Sequence, residues 1–360
     1  MSSRMMKACG NAKLLLIFEM KNYLPKVDYL LMDLISSCNL NCLHCRASGF
    51  DKKSQLSINQ IKEIIKSSRE LNIKTITFSG GEPFLREDIF DLIRLVKKNG
   101  FILRIQSNIL LLNREKIQKI KDLGVDYIGT GIDGLKKNHD KLRNKEGAFE
   151  KVIENIKLLK KYGIKTHIEF TATNFNFRDF EEVMKLCEQI GVYDVMTRAV
   201  LPSGRGREFD FSLTKTEYKE FLQNVISIQK GVINIKLYCQ DPISLWLNKE
   251  RIEELRDKYP TMNIIGGCSA GINMIYISPL GDVKPCSFLD FVFGSLKTNR
   301  LNEILSSKNR TDFLNIQMSR VFSKKCSNCE IRFLCGGCRA RALNFNKDIW
   351  GDDPFCFKDN

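Results

Sequence analysis

The most restrictive feature of this sequence is a unit that recurs about six times between Tyr29 and Leu201. Each unit is a short apolar run followed by a longer segment with apolar residues at helical spacing. The runs expected to be strands are Tyr29–Ile35, Thr75–Phe78, Ile102–Gln106, Tyr127–Ile132, Thr166–Ala172 and Tyr193–Val200. Between them Ser57–Leu71, Arg86–Lys98, Asn113–Leu123, Ala148–Tyr162 and Phe177–Ile190 read as helices, with Ile58, Ile61, Ile64 and Ile65 at helical spacing in the first. Ser57 and Gln60 have the spacing of a capping box, and Gly100, Gly124, Gly163 and Gly191 each stand where a helix ends. Strands alternating with helices make a parallel α/β sheet. A closed eight-unit barrel takes about 250 residues, so a pattern that stops near Leu201 predicts a partial (β/α)6 TIM-like barrel.

The first strand leads into Cys38, Cys42 and Cys45, spaced C-x3-C-x2-C. They fall on a loop at the carboxyl end of a parallel strand, where α/β folds gather their ligands. Thiolates suit iron–sulfur clusters and zinc. A four-iron cluster takes four ligands, so a triplet leaves one iron open to another molecule. A zinc site would pair C-x2-C with a second cysteine pair, and the next cysteine downstream is Cys187. Polar residues collect at the same ends of later strands: Gly80-Gly81-Glu82 before Pro83, Ser107-Asn108, Asp133, Asn174 and, on the sixth strand, Arg198. Each of them also has a plain reading as a turn or helix-capping residue.

Composition shifts after Gly266. Seven of the thirteen cysteines lie beyond it: Cys268, Cys286, Cys326, Cys329, Cys335, Cys338 and Cys356. The pairs Cys326/Cys329 and Cys335/Cys338 could form a zinc ribbon, but five residues separate them, against about 15–20 in ribbons. The expected division is an N-terminal extension over 1–28, a core over 29–206, a bridging segment over 207–265 and a cysteine-rich domain over 266–360. The bridge carries helical segments at Thr214–Gln229 and Lys249–Tyr259 and a strand-like run, Ile233–Cys239.

Together these motifs resemble the radical S-adenosylmethionine (SAM) enzymes that carry a C-terminal iron–sulfur SPASM domain, over about residues 29–206 and 266–360. The resemblance implies a [4Fe–4S] cluster on Cys38, Cys42 and Cys45, with SAM chelated at the open iron by its amino and carboxylate groups. Reductive cleavage of SAM then gives a 5′-deoxyadenosyl radical that takes hydrogen from an unactivated carbon. Gly80, Gly81 and Glu82 match the motif that binds the SAM amino group, and Ser107, Asp133, Asn174 and Arg198 join them as expected cofactor contacts. Two auxiliary [4Fe–4S] clusters are implied, making three in all. Cys326, Cys329, Cys335 and Cys356 would hold the outer one, and Cys268, Cys286 and Cys338 the inner one. The Cys335-x2-Cys338 spacing is one residue shorter than the usual C-x3-C. The inner cluster lacks a cysteine, so either its fourth iron is open or Cys239 reaches it.

By resemblance the chain is a radical SAM oxidoreductase or maturase. Relatives with this domain commonly modify ribosomally made peptides or proteins, which is the first expectation for the substrate. The alternative is a tetrapyrrole, through the oxidative decarboxylation that forms haem, or a small molecule or nucleotide sugar. Cys42-Leu43-His44-Cys45-Arg46-Ala47, Pro202-Ser203-Gly204-Arg205-Gly206 and Cys338-Arg339-Ala340-Arg341-Ala342 look like the tetrapyrrole branch. Ser287 stands where the sulfatase-maturing branch has an aspartate base. A second alternative is an iron–sulfur electron carrier without SAM, against which the GGEP turn argues.

Net charge +15, with Arg198 on the last core strand and Arg205 and Arg207 just beyond it, predicts an acidic substrate. Lysines spread without a basic block argue against nucleic acid. A reductase, flavodoxin or ferredoxin would supply electrons. No run is long enough to cross a bilayer, and Leu14 to Phe18 is too short for a signal-peptide core. The expected location is therefore cytoplasmic, where cysteine-rich chains ligate metals rather than form disulfides. Cys9 and Cys187 read as inert.

Overall fold

The computed structural model describes residues 24–231, 234–258 and 266–358. Seven strands run parallel in chain order: β1 (Tyr29–Ile35), β2 (Thr75–Gly80), β3 (Ile102–Gln106), β4 (Tyr127–Gly131), β5 (Lys165–Ala172), β6 (Asp194–Ala199) and β7 (Lys236–Cys239). β8 (Met274–Ile277), from the cysteine-rich region, pairs in parallel with the free edge of β1, Tyr29 opposite Met274. β9 (Asp282–Lys284) and β10 (Gly294–Ser295) continue that edge by antiparallel pairing. One sheet of ten strands results, in the order β10-β9-β8-β1-β2-β3-β4-β5-β6-β7. The α/β partial barrel is thus extended on both sides by strands that follow residue 206.

Parallel neighbours need crossovers. These are the helices Ile58–Glu70, Ile89–Lys98, Arg114–Asp122, Ala148–Lys161 and Phe180–Ile190. Ser57 and Gln60 form the capping box in both directions. The four helix-ending glycines have φ between 70° and 81°. The helix expected from Arg86 starts only at Ile89, after a short 3-10 turn Pro83–Leu85. The Arg86 side chain is turned inward to the carbonyls of Leu34 and Leu56 and is paired with Asp88. The helix Lys136–Arg143 was not expected, because its inner face carries only His139 and Leu142. Ile233 and Tyr259 lie outside the described residues, as do the first 23 residues.

The pleat sorts the sheet into two faces. Leu30, Met32, Leu34, Ile76, Phe78, Leu103, Ile105, Ile168 and Phe170 are fully buried on the helix side, each worth about 1.5–3 kcal/mol. The other face is polar and hydrogen-bonded across strands. Thr77 donates to the Tyr29 hydroxyl (2.8 Å), Gln106 to Glu169 (2.7 Å) and the Tyr276 hydroxyl to Asp33 (2.7 Å). This polar face, and the loops at the carboxyl ends of its strands, hold the candidate site. No helix among the described residues is long and apolar enough to cross a membrane.

Candidate functional site

The loop bearing Cys38, Cys42 and Cys45 is pinned from the far end of the barrel. The Arg205 N–H donates to the Cys45 carbonyl (3.1 Å) and its guanidinium to the Cys42 carbonyl. Gly204 has φ +52°, and a Cβ there would stand 2.3 Å from the Cys45 oxygen, so only glycine lets the two segments meet. This commits Arg205 to the fold, and it leaves the set of arginines expected to meet an anion. Arg207 reaches Pro202 and Asn344 on the surface.

Gly81 lies flat against the start of the same loop. Its N–H donates to Ile35, that of Glu82 to Ser37, and a Cβ on Gly81 would come within 2.0 Å of the Ser37 oxygen. Glu82 itself is fully buried. It accepts from the Phe84 N–H (3.0 Å), the Ser107 hydroxyl (2.8 Å) and the Asn108 N–H (2.8 Å). Burial raises its pKa in spite of these donors. The Glu82 carboxylate is therefore an internal clamp between the ends of β2 and β3, and Ser107 is its partner. Asn108 faces the cysteine loop, its amide donating to Asn39 (2.7 Å) and approaching the Cys38 sulfur at 3.6 Å.

A second polar cluster adjoins Cys42. The Asp133 carboxylate accepts from the Thr171 N–H (2.9 Å) and Arg143 (2.5 Å), with His44 Nε2 4.0 Å away. A Cβ on Gly131 would stand 1.8 Å from the Arg143 guanidinium. Burial opposes the Asp133 charge, but Arg143, His44 and His139 outweigh it and hold its pKa below the ordinary value. The nearby Cys42 sulfur also bears on the Arg143 guanidinium. Burial lowers His139 to about 3, helped by Arg143; the ring accepts the Asp133 N–H through Nδ1 (3.1 Å).

The remaining expected contacts separate. Asn174 donates its amide to the Asp210 carbonyl (3.0 Å) and so ties down the chain after β6. Arg198 meets Glu169 at 3.4 Å and sits 4.5 Å from the Phe288 ring centre. Two groupings escaped the sequence reading, and the part played by Asn108 was only half seen. Asp33 binds Arg46 through both oxygens (2.8 and 2.9 Å) and accepts from Tyr276, so one buried carboxylate joins β1, the cysteine loop and β8. Its signal was a lone Asp in an apolar strand. Arg143 and His139 gave no signal, lying in a helix without an apolar stripe. Asn108 was visible only as the neighbour of Ser107.

In the C-terminal region Cys326, Cys329, Cys335 and Cys356 line one pocket, together with Gly336, Gly337 and Asp353. A thiolate on Cys268 would raise the pKa of both Cys286 and Cys338, so these three form a second group. Among the described residues no three His, Cys, Asp or Glu side chains converge on a single-ion site. Burial pushes Cys38 and Cys286 to about 11 and Cys335 and Cys338 to about 12. Such thiols ionise only when a cation ligates them. Backbone N–H groups already point at several sulfurs: Leu40 at Cys38 (3.4 Å), Phe288 at Cys286 (3.3 Å) and Gly337 at Cys335 (3.4 Å). Soft donors, N–H···S contacts and unpartnered guanidinium N–H groups on Arg320 and Arg339 all fit anionic iron–sulfur clusters. The groups bearing on the Cys239 thiol are the Asp241 N–H, Ser244 and Arg341, none of them a cysteine.

Comparison with known proteins agrees with this layout. Residues 32–187 match the radical SAM superfamily and residues 268–330 the iron–sulfur cluster-binding SPASM domain. The AdoMet-dependent heme synthase of Oleidesulfovibrio alaskensis is 29% identical, over 92% of this chain and 87% of its own. The Fe-coproporphyrin III synthase of Methanosarcina barkeri is 27% identical, over 89% and 85%. Among solved structures, Streptococcus suis SuiB bound to S-adenosylmethionine superposes with a TM-score of 0.75 at 15% identity, covering 99% of this chain and 84% of SuiB. At that identity the likeness speaks for the fold.

Proposed function

We propose that this chain, which belongs to the radical SAM superfamily and carries a C-terminal SPASM domain, oxidatively decarboxylates the propionate side chains of a tetrapyrrole. The observation that carries the reading is the near full-length likeness to an AdoMet-dependent heme synthase, 29% over 92% of the chain. It reverses the order of the sequence-based expectations, in which peptide modification came first.

Cys38, Cys42 and Cys45 would hold the cluster that binds SAM, with the two C-terminal cysteine groups holding two more. When bound, SAM and that first cluster supply a carbon-centred radical able to take hydrogen from an unactivated carbon. The chain's own residues position the reactants. Gly80 and Gly81 bring backbone against the cysteine loop, with Glu82 and Ser107 fixing that backbone from behind. Asn108 on one side and Arg143 with Asp133 on the other flank the triplet. Arg198 lies on the polar face with a single 3.4 Å ion-pair contact, to Glu169. Its fork suits a carboxylate, and Phe288 beside it offers an apolar surface to a flat macrocycle.

The test is anaerobic incubation of the iron-loaded protein with SAM, a strong reductant and an iron tetrapyrrole bearing propionates. Expected are 5′-deoxyadenosine and a tetrapyrrole short of one CO2 and two hydrogens for each propionate converted, read by mass spectrometry. An unaltered tetrapyrrole alongside an altered peptide substrate would overturn the reading.

A further inference from the structure

Three arginines lie beneath the C-terminal cysteines. Arg320, Arg339 and Arg341 are the largest fully buried side chains among the described residues. Arg341 is satisfied: Asp241, Asp353 and the Tyr218 hydroxyl take its donors. The other two are not. Arg320 donates through Nη2 to the carbonyls of Gly266 and Cys268, yet its Nε and Nη1 have no acceptor among the described residues. Arg339 donates through Nη1 to the carbonyls of Ile349 and Gly351, and its Nε and Nη2 are likewise without a partner.

The partners found are carbonyl oxygens, not carboxylates. A guanidinium keeps its charge at any ordinary pH, and two buried cations side by side need an anion. The cysteines supply one only when they are ligated. Arg320 lies near Cys268 of one group and Cys335 and Cys326 of the other, while Arg339 bears on Cys326. Both guanidiniums press on the link between Cys335 and Cys338. Gly336 and Gly337 have φ of +66° and +59°. A Cβ on Gly336 would stand 2.5 Å from Arg320 Nη1, and one on Gly337 2.9 Å from Arg339 Nη2. The short two-glycine link is thus the seat of the guanidinium pair.

Hydrogen bonds to cluster sulfurs and the net charge around them set cluster potentials. A cation beside a cluster stabilises its more negative, reduced state. We propose that Arg320, lying between the two cysteine groups, donates to sulfurs of both auxiliary clusters and raises both reduction potentials, with Arg339 acting on the outer cluster alone. The inference rests on the SPASM assignment and is independent of the substrate.

The test uses the full chain with Cys38, Cys42 and Cys45 replaced by Ala, so that only the C-terminal clusters give a signal. Iron is counted, and a redox titration is followed by electron paramagnetic resonance. About eight irons are expected from two four-iron clusters. In R320Q the reduced-to-oxidised ratio of both clusters at fixed solution potential should fall about tenfold, equivalent to 59 mV for a one-electron couple. R339Q should move the outer cluster only, and R320K should stay near the parent. Unmoved potentials in R320Q at full iron content would overturn the proposal. If R320Q loses iron, R320K decides. Iron retained at the parent potential supports the charge role, and iron lost there too makes Arg320 a packing residue.

Discussion

Replacing Asp33 by Asn should destabilise the fold as a whole. Asp33 is fully buried, and it binds Arg46 through two hydrogen bonds and Tyr276 through one. Burial alone would lower the Arg46 pKa, but the Asp33 charge and hydrogen bonds hold it well above the ordinary value. Burial raises Tyr276, and the neighbouring Asp33 charge raises it further. D33N keeps the shape and removes the charge, leaving a buried guanidinium unpaired. Breaking a buried pair in this way costs about 3–5 kcal/mol. The trend of melting-temperature shift with chain size gives roughly 2 °C or less for each kcal/mol at this length, so scanning calorimetry should register a loss of several degrees. Arg46 follows Cys45 directly, so the variant should also hold iron at the N-terminal triplet less well. Tyr276→Phe removes one hydrogen bond to a charged group, worth about 1.5–3 kcal/mol. Because the three groups touch, the double variant should lose less than the sum. A D33N protein that melts within a degree of wild type, with additive effects in the double variant, would refute the idea that this carboxylate joins barrel, cysteine loop and C-terminal strand.

Glu82→Gln turns an N–H donor toward one of the three donors that the carboxylate accepts. An unsatisfied buried donor costs about 1–3 kcal/mol, so SAM binding measured by calorimetry should weaken roughly tenfold; unchanged affinity would mean the clamp is irrelevant to the cofactor. Arg198→Ala should raise the KM for a propionate-bearing tetrapyrrole by about tenfold or more, from the loss of a charged hydrogen bond, without lowering SAM affinity, and equal KM values would exclude the carboxylate contact. His139 titrates at about 3 in the folded chain and near 6.5 when unfolded, so the unfolded state takes up the proton first. Stability from this group is complete above about pH 6.5 and declines as pH falls toward 3, by about 2 kcal/mol at pH 5. His139→Gln should remove that part of the acid sensitivity in denaturant titrations at pH 7 and pH 5, and an identical pH dependence would show that another group is responsible. Cys239→Ala should leave iron content unchanged, whereas loss of about four irons would make Cys239 the missing inner ligand.

The sequence was most legible where period and punctuation agree. The six core strands and their five crossover helices were found within a few residues because each pairs an apolar repeat with a cap or a terminal glycine. Cysteine spacing marked the N-terminal triplet and the C-terminal run. Side-chain direction was not legible. Glu82 and Ser107 read as cofactor contacts from their place at strand ends, yet they face each other in the interior, because Gly81 lies flat on the cysteine loop and turns the next side chain inward. Asn174 at the end of β5 donates its amide to the Asp210 carbonyl, because a strand end offers both a ligand side and a loop side. The Asp33–Arg46–Tyr276 and Asp133–Arg143 pairs join residues far apart in the chain or sit in a helix without amphipathic signal. Local periodicity does not register such pairings.

The parallel pairing of β1 with β8 also orders events in time. Tyr276 reaches Asp33 across 243 positions of the sequence. At about 5–20 residues per second, a ribosome needs roughly 10–50 s to deliver that partner. Throughout that interval β1 presents an unpaired edge, and the Asp33–Arg46 pair stands without its tyrosine lid. Contacts of such long range form late and slowly. The triplet that emerges first from the ribosome is therefore the one whose surroundings are completed last.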